Sequence, residues 1–138
     1  MSRPFLIVEG GGALFAVDQG LVREIVPARA MTRLPGAPPA VRGLLNVRGT
    51  LVTVIDLATR FGQGGALVAD PSVVIAVTEA RTIGLLVDDV HDVLSFAEEE
   101  LLPATEGSSD PAVVGLGHFG DRVVLAVELQ ELARQTFA

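Results

Sequence analysis

Val41 to Gly62 reads VRGLLNVRGTLVTVIDLATRFG, and this stretch decides the fold. Leu44, Leu45 and Val47 lead into Arg48-Gly49-Thr50; Leu51, Val52, Val54 and Ile55 lead away from it. Two apolar runs around a glycine-bearing break predict a β-hairpin, because glycine supplies the backbone angles that a tight turn requires. The second run, LVTVI, is β-branched and almost wholly apolar, which predicts cover on both of its faces. Asp56 ends the run. Standing before Leu57-Ala58-Thr59-Arg60-Phe61, it is placed to N-cap one or two helical turns. Three polar side chains, Arg42, Asn46 and Arg48, lie inside this apolar stretch. A guanidinium there needs a carboxylate or several carbonyls, unless Arg48 is a solvated turn residue.

On the N-terminal side, Phe5–Val8 and Ala13–Val17 read as strands around Gly10-Gly11-Gly12. The glycines lack the Lys-Ser/Thr and following helix of a phosphate-binding loop, so they are read as a hairpin turn. Leu21–Val26 is a further strand or a helical turn passing into one. Within it Glu24 is isolated between Arg23 and the apolar Ile25-Val26, which makes it the natural carboxylate for Arg48. Pro27, Pro35, Pro38 and Pro39 exclude a central strand from the next segment, and Pro38-Pro39 is placed to open a helical turn towards Arg42.

On the C-terminal side, Gly64-Gly65 and Asp70-Pro71 mark a break and a lobe boundary. Ser72–Val77 and Thr82–Val87 form a hairpin. In Asp88-Asp89-Val90-His91-Asp92 the carboxylates and the histidine raise a metal or acid/base reading. The spacing fits neither a calcium loop nor a zinc site, and alternation of acids with valines suits one half-exposed strand. Glu98-Glu99-Glu100 predicts a short helix over Ala97–Leu102. Pro103–Pro111 is expected to be a loop. Ala112–Leu116 and Arg122–Val127 are strands joined through 117–121, and Glu128–Phe137 is a closing helix with Leu129, Leu132 and Ala133 on one face.

Nine or ten short strands with little helix, punctuated by Gly and Pro, give an all-β sandwich or small barrel. The 138 residues suffice for one compact unit of two lobes. No Cys is present, which excludes disulfides, thiolate catalysis and cysteine-ligated metals. The opening MSRPFLIVEGGG is too short an apolar run for a signal peptide, and no segment approaches the roughly 20 apolar residues of a membrane span, so a cytoplasmic protein without membrane insertion is expected. All ten basic residues are Arg, against 17 acidic ones, for a net charge of −7. Residues 1–66 hold seven Arg and four acids, net +3; residues 67–138 hold three Arg and 13 acids, net −10. The acidic half, with no Trp or Tyr for base stacking, argues against a nucleic-acid surface.

The pattern Gly43, Asn46, Arg48-Gly49, then Ile55-Asp56-Leu57 and Arg60-Phe61-Gly62, resembles the CheW family of bacterial chemotaxis adaptor domains. FLIVEGGGALFAVD (5–18), VREI (22–25), GLLVDDVHDVL (84–94) and GLGHFGDRVVLAVELQEL (115–132) extend the likeness over nearly the whole chain, in the same order. The resemblance implies one CheW-like domain over 1–138, built of two interlocked five-stranded SH3-like barrels with short helices and a C-terminal helix. Its lobes would be about 13–66, and 1–12 plus 67–138.

The function implied is non-catalytic: coupling a methyl-accepting chemoreceptor's cytoplasmic tip to a CheA-type histidine kinase, without metal or cofactor. Carried over by position, the receptor-binding residues would be Val22, Glu24, Ile25, Arg48, Val73, Val74, Gly84 and Val90, with Glu24 and Arg48 ion-paired. The apolar ones among them are equally readable as core. Gly43, Leu45 and Val47 would face the kinase. An adaptor of a paralogous chemosensory pathway, for motility or development, fits the same residues. A small-ligand-binding barrel, or an enzyme using Asp88, Asp89, His91 and Asp92, are the other classes. Neither a nucleophile elbow nor a phosphate loop supports the enzyme.

Overall fold

A computed structural model of the chain describes residues 2–64, 68–97, 100–102 and 110–137. The strands are β1 (Ser2–Gly10), β2 (Ala13–Asp18), β3 (Val22–Pro27), β4 (Val41–Val47), β5 (Thr50–Asp56), β6 (Ser72–Val77), β7 (Thr82–Val87), β8 (Asp89–Ala97), β9 (Val113–Phe119) and β10 (Arg122–Val127). A 3-10 turn, Gln19–Leu21, precedes β3, and two α-helices, α1 (Leu57–Arg60) and α2 (Leu129–Thr136), follow β5 and β10. Among the described residues no helix is long and apolar enough to cross a membrane.

The strands form two five-stranded sheets, ordered β8-β1-β2-β10-β9 and β3-β6-β7-β5-β4. Each sheet has one parallel pairing, β2 with β10 and β5 with β7; its other neighbours are antiparallel. The two orders match strand for strand. The hairpins β4–β5 and β9–β10 are counterparts and share a burial pattern. Each passes into a helix through an acidic N-cap, Asp56 or Glu128. The N–H of Asp56 donates to Ala40 O and that of Glu128 to Ala112 O, each at 2.7 Å. The fold is therefore one motif used twice, with the second copy split between the two ends of the chain.

That split interlocks the lobes. The chain starts in the sheet of β8, β1, β2, β10 and β9, here the second lobe, crosses into the other sheet, the first lobe, for β3 to β7, and returns at β8. The expected boundary near residue 66 grouped 13–18 with β3–β5 and 72–87 with β8–β10. Hydrogen bonding does the reverse. The Gly11-Gly12 turn (φ +59 and +86) returns β2 onto β1, and β7 inserts between β6 and β5. The expected boundary therefore falls between β5 and β6, two strands of one sheet.

Apolar residues of both sheets meet in one shared core. Leu6, Val8, Phe15 and Val17 from one sheet pack with Ile55, Val74, Leu85 and Val87 from the other, and Leu57, Leu129 and Leu132 of the helices close it. Each barrel also has its own interior: Phe5, Ile7, Leu14 and Phe96 in one, and Leu45, Val52, Val73 and Leu86 in the other. The face of α2 expected from its periodicity, Leu129, Leu132 and Ala133, is the buried one.

Four local expectations differ. LVTVI is not covered throughout: Leu51 is 65% exposed, because the hairpin tip extends past the core. Ala97 continues β8 instead of opening a helix, Glu100 has 3-10 geometry, and Leu102 bridges Leu116 as a strand would; Glu98 and Glu99 lie outside the described residues, as does 103–109 of the expected loop. The segment 117–119 is strand rather than turn, so that only Gly120-Asp121 reverses the chain. After Pro38-Pro39 a turn, closed by Val41 N–H on Pro38 O at 2.9 Å, leads straight into β4 without a helix.

Candidate functional site

The three polar residues of the central hairpin each have a partner. Arg48 and Gly49 make its two-residue turn, with φ of +51 and +85, and Asn46 Oδ1 accepts the Gly49 N–H at 2.8 Å. The turn aims the Arg48 guanidinium across the edge of the sheet, where its Nη1 donates to Glu24 Oε2 on β3. β3 and β4 are the two edge strands of this sheet, so the ion pair straddles the seam where the barrel closes. Its side chains are 76% and 26% exposed. The hydrogen bond to Glu24 pushes the Arg48 guanidinium above its ordinary pKa. A pair this open contributes little to stability.

Arg42 is anchored differently. Its Nη1 donates at 2.9 Å to Oδ2 of Asp56, whose side chain is fully buried. Asp56 Oδ1 also accepts the Thr59 N–H at 3.3 Å, as the N-cap of α1.

The seam is also a cleft of about 310 Å3, lined by Glu24, Val26, Arg29, Leu45, Val47 and Arg48. Ile25 is 46% exposed on the outer side of β3. The cleft residues form one surface, charged at the rim and apolar on the floor, which Ile25 does not line.

The remaining expected residues are placed elsewhere. Val22 and Val90 are half-buried against the shared core. Val73 and Val74 are fully buried, in the first barrel's interior and the shared core respectively. A Cβ on Gly84 would lie 2.7 Å from Val73 Cγ1 and 3.2 Å from Val54 Cγ2. These three are packing residues, since β6 and β7 sit inside the sheet with both faces covered. Gly43 has φ +151, and a Cβ there would lie 2.3 Å from Thr32 O. It is glycine because the segment after β3 crosses over it and pairs with Leu44. Leu45 is 5% exposed, leaving Val47 as the open residue of its group.

Asp88, Asp89, His91 and Asp92 do not converge. Asp88 Oδ2 accepts the Gly11 N–H at 2.9 Å, while Asp89 and Asp92 accept from the N–H of their own next residues. His91 Nε2 meets Glu9 Oε1 at 2.9 Å, and Arg122 Nη1 shares that oxygen at 3.2 Å. No group of three or more metal-ligating side chains is assembled among the described residues.

Sequence reasoning missed a clasp between the two helices. Arg60 Nη2 donates to Asp110 and to Gln135 Oε1, while Gln135 Nε2 and the Ala112 N–H donate to Asp110 Oδ1. Partners 25 to 75 residues apart leave no local signal.

Comparison with known proteins agrees with this architecture. The family model for the CheW-like domain matches residues 4–137. This chain belongs to the CheW-like domain family. The chemotaxis protein CheW of Klebsiella aerogenes is 34% identical over 136 residues, covering 96% of this chain and 82% of that protein. The crystal structure of the scaffolding protein TtCheW from Thermoanaerobacter tengcongensis superposes with a TM-score of 0.84 at 27% identity, covering 96% of this chain and 88% of that one. The all-β fold of two SH3-like barrels follows from both the strand order and this likeness. As a CheW-like protein, the chain is of the chemotaxis scaffold type.

Proposed function

We propose that this CheW-like domain is a cytoplasmic, non-catalytic adaptor that couples a methyl-accepting chemoreceptor to a CheA-type histidine kinase. The observation carrying it is the Glu24–Arg48 pair, held across an open seam beside Ile25 and Val47. An exposed ion pair beside the exposed Ile25 and the half-buried Val47 is what a helix laid into a groove can use: apolar contacts for affinity, charges for register. The receptor tip would contact Glu24, Ile25 and Arg48, with Val22 and Val90 at the margin. Val73, Val74 and Gly84 would act only by shaping the strands beneath. The kinase's regulatory domain would meet the β4 side at Val47, with Leu45 and Gly43 holding that strand in place. The mechanism is positional. The two lobes share one core, through which a receptor shift on one face would be transmitted to the kinase on another.

The test is co-elution of the chain with a receptor-tip fragment and a kinase regulatory domain, repeated for Glu24→Ala, Arg48→Ala and the double variant. Each single change is expected to weaken receptor binding, and the double variant to lose less than the two singles summed, because neither charge is then left alone. Failure of the unmodified chain to co-elute with either partner refutes the adaptor; strictly additive losses refute the pair's coupling.

A further inference from the structure

The two lobes close the same seam in different ways. Matching the sheets strand by strand pairs Val54 with Ala126, Gly84 with Ala16 and Val73 with Phe5. Carried onto the edge strands, the register makes Val26 the counterpart of Leu94 and Ala28 the counterpart of Phe96. On the facing hairpins, Leu45 and Val47 correspond to Gly117 and Phe119.

In the second lobe the chain plugs its own seam. Phe96 is 8% exposed, and its ring centroid lies 5.8 Å from that of Phe5. Gly117 leaves the room for it, since a Cβ there would stand 3.1 Å from Phe96 Cε1. Phe119 and Leu101 pack against the same cluster. In the first lobe Leu45 fills part of this volume, but the corresponding cluster contains no aromatic ring among its described residues. What remains is the cleft of about 310 Å3 over Val26, Leu45 and Val47. Its rim carries two guanidinium groups and one carboxylate. Arg48 is tied to Glu24, and Arg29 makes no ion pair among the described residues.

We propose that this cleft is the seat for an aromatic side chain supplied by a partner protein, with a carboxylate beside it in the partner's sequence to meet Arg29. The proposal rests on the adaptor reading, because it presumes a protein partner. A phenyl ring is the occupant that the second lobe itself places between its edge strands. The surplus positive charge at the rim selects an acidic neighbour.

The experiment is a titration of the 15N-labelled full chain with N-acetyl-Glu-Phe amide, compared with N-acetyl-Glu-Ala amide and N-acetyl-Lys-Phe amide. Saturable shifts confined to the amides around Val26, Leu45 and Val47 are expected. Affinity should fall about tenfold or more when Ala replaces Phe, and should also fall when Lys replaces Glu. Val47→Phe, which installs the second lobe's own side chain, should abolish the shifts. Arg29→Ala, at an exposed position outside the strands, should remove the preference for Glu over Lys even if Val47→Phe fails to fold. Equal affinity for all three probes, or shifts centred elsewhere, overturns the proposal. Shifts that grow with protein concentration in the absence of probe also overturn it, by assigning the seam to a second copy of the chain. If the probes fail while receptor and kinase fragments still co-elute, the seat falls and the adaptor stands. If the probes bind and no complex forms, it is the adaptor reading that falls.

Discussion

Gly43→Ala should be among the most damaging single substitutions in the central hairpin. The new Cβ would lie 2.3 Å from Thr32 O and 3.0 Å from Thr32 C, both backbone atoms that no rotamer change can move. To relieve it, the Thr32 segment must lift off β4. That breaks two hydrogen bonds, Thr32 N–H to Leu44 O at 2.8 Å and Leu44 N–H to Thr32 O at 2.7 Å, at about 1 kcal/mol each. The φ of +151 adds backbone strain for any L side chain, roughly 1–3 kcal/mol. The total is about 3–5 kcal/mol, which corresponds to a fall in melting temperature of about 10–15 °C for a domain of this size. The chain contains no Trp or Tyr, so unfolding is best followed by far-UV circular dichroism. Gly49→Ala is the control. Its φ is +85, but its Cβ would meet nothing within 4 Å, so only the left-handed cost of about 1–2 kcal/mol applies. A Gly43→Ala loss within about 1 kcal/mol of wild type, or smaller than that of Gly49→Ala, refutes the reasoning.

Three further outcomes are open to measurement. Arg42→Ala should destabilise more than Asp56→Asn, by about 3 kcal/mol against about 1, because it strands a fully buried carboxylate whereas the reverse change frees an arginine already 45% exposed; equal losses in urea unfolding would contradict this. Gly84→Ala should cost about 1–3 kcal/mol by overpacking against Val73 and Val54; an unchanged melting temperature would return Gly84 to the list of groove residues. The His91 hydrogen bond, with Arg122, holds the Glu9 carboxyl below its ordinary 4.5 despite the opposing effect of burial. Burial likewise opposes the shift at Asp110, yet the Ala112 N–H, Gln135 and Arg60 hold that carboxyl below its ordinary 3.8. Because both folded values are depressed, the unfolded chain binds more protons, so this stabilisation is present at neutral pH and is lost as pH falls below those values. Glu9→Gln and Asp110→Asn should each flatten the acid limb of melting temperature against pH, and a slope unchanged in both would contradict the assignment.

The chain's own order of residues determines most of the local structure. β-branched runs, turn glycines and acidic N-caps place the ten strands and the two helices with few exceptions, because period-2 burial and capping are local effects that act within a few residues. The Glu24–Arg48 pair was also legible, since an isolated charge in each of two apolar segments leaves few partners. Only the tertiary structure decided which strands share a sheet. Parallel pairing of β5 with β7 and β2 with β10 depends on backbone groups that any sequence carries, and it moved the lobe boundary away from the break in the chain. Only the tertiary structure separated exposed from buried among Val22, Ile25, Val73, Val74 and Val90, because an aliphatic residue on a strand reads the same whichever element covers it. The need for glycine at positions 43, 84 and 117 has the same origin: each answers to an atom of a distant segment, and a close approach of that kind is set by packing that exists only once the barrels have closed.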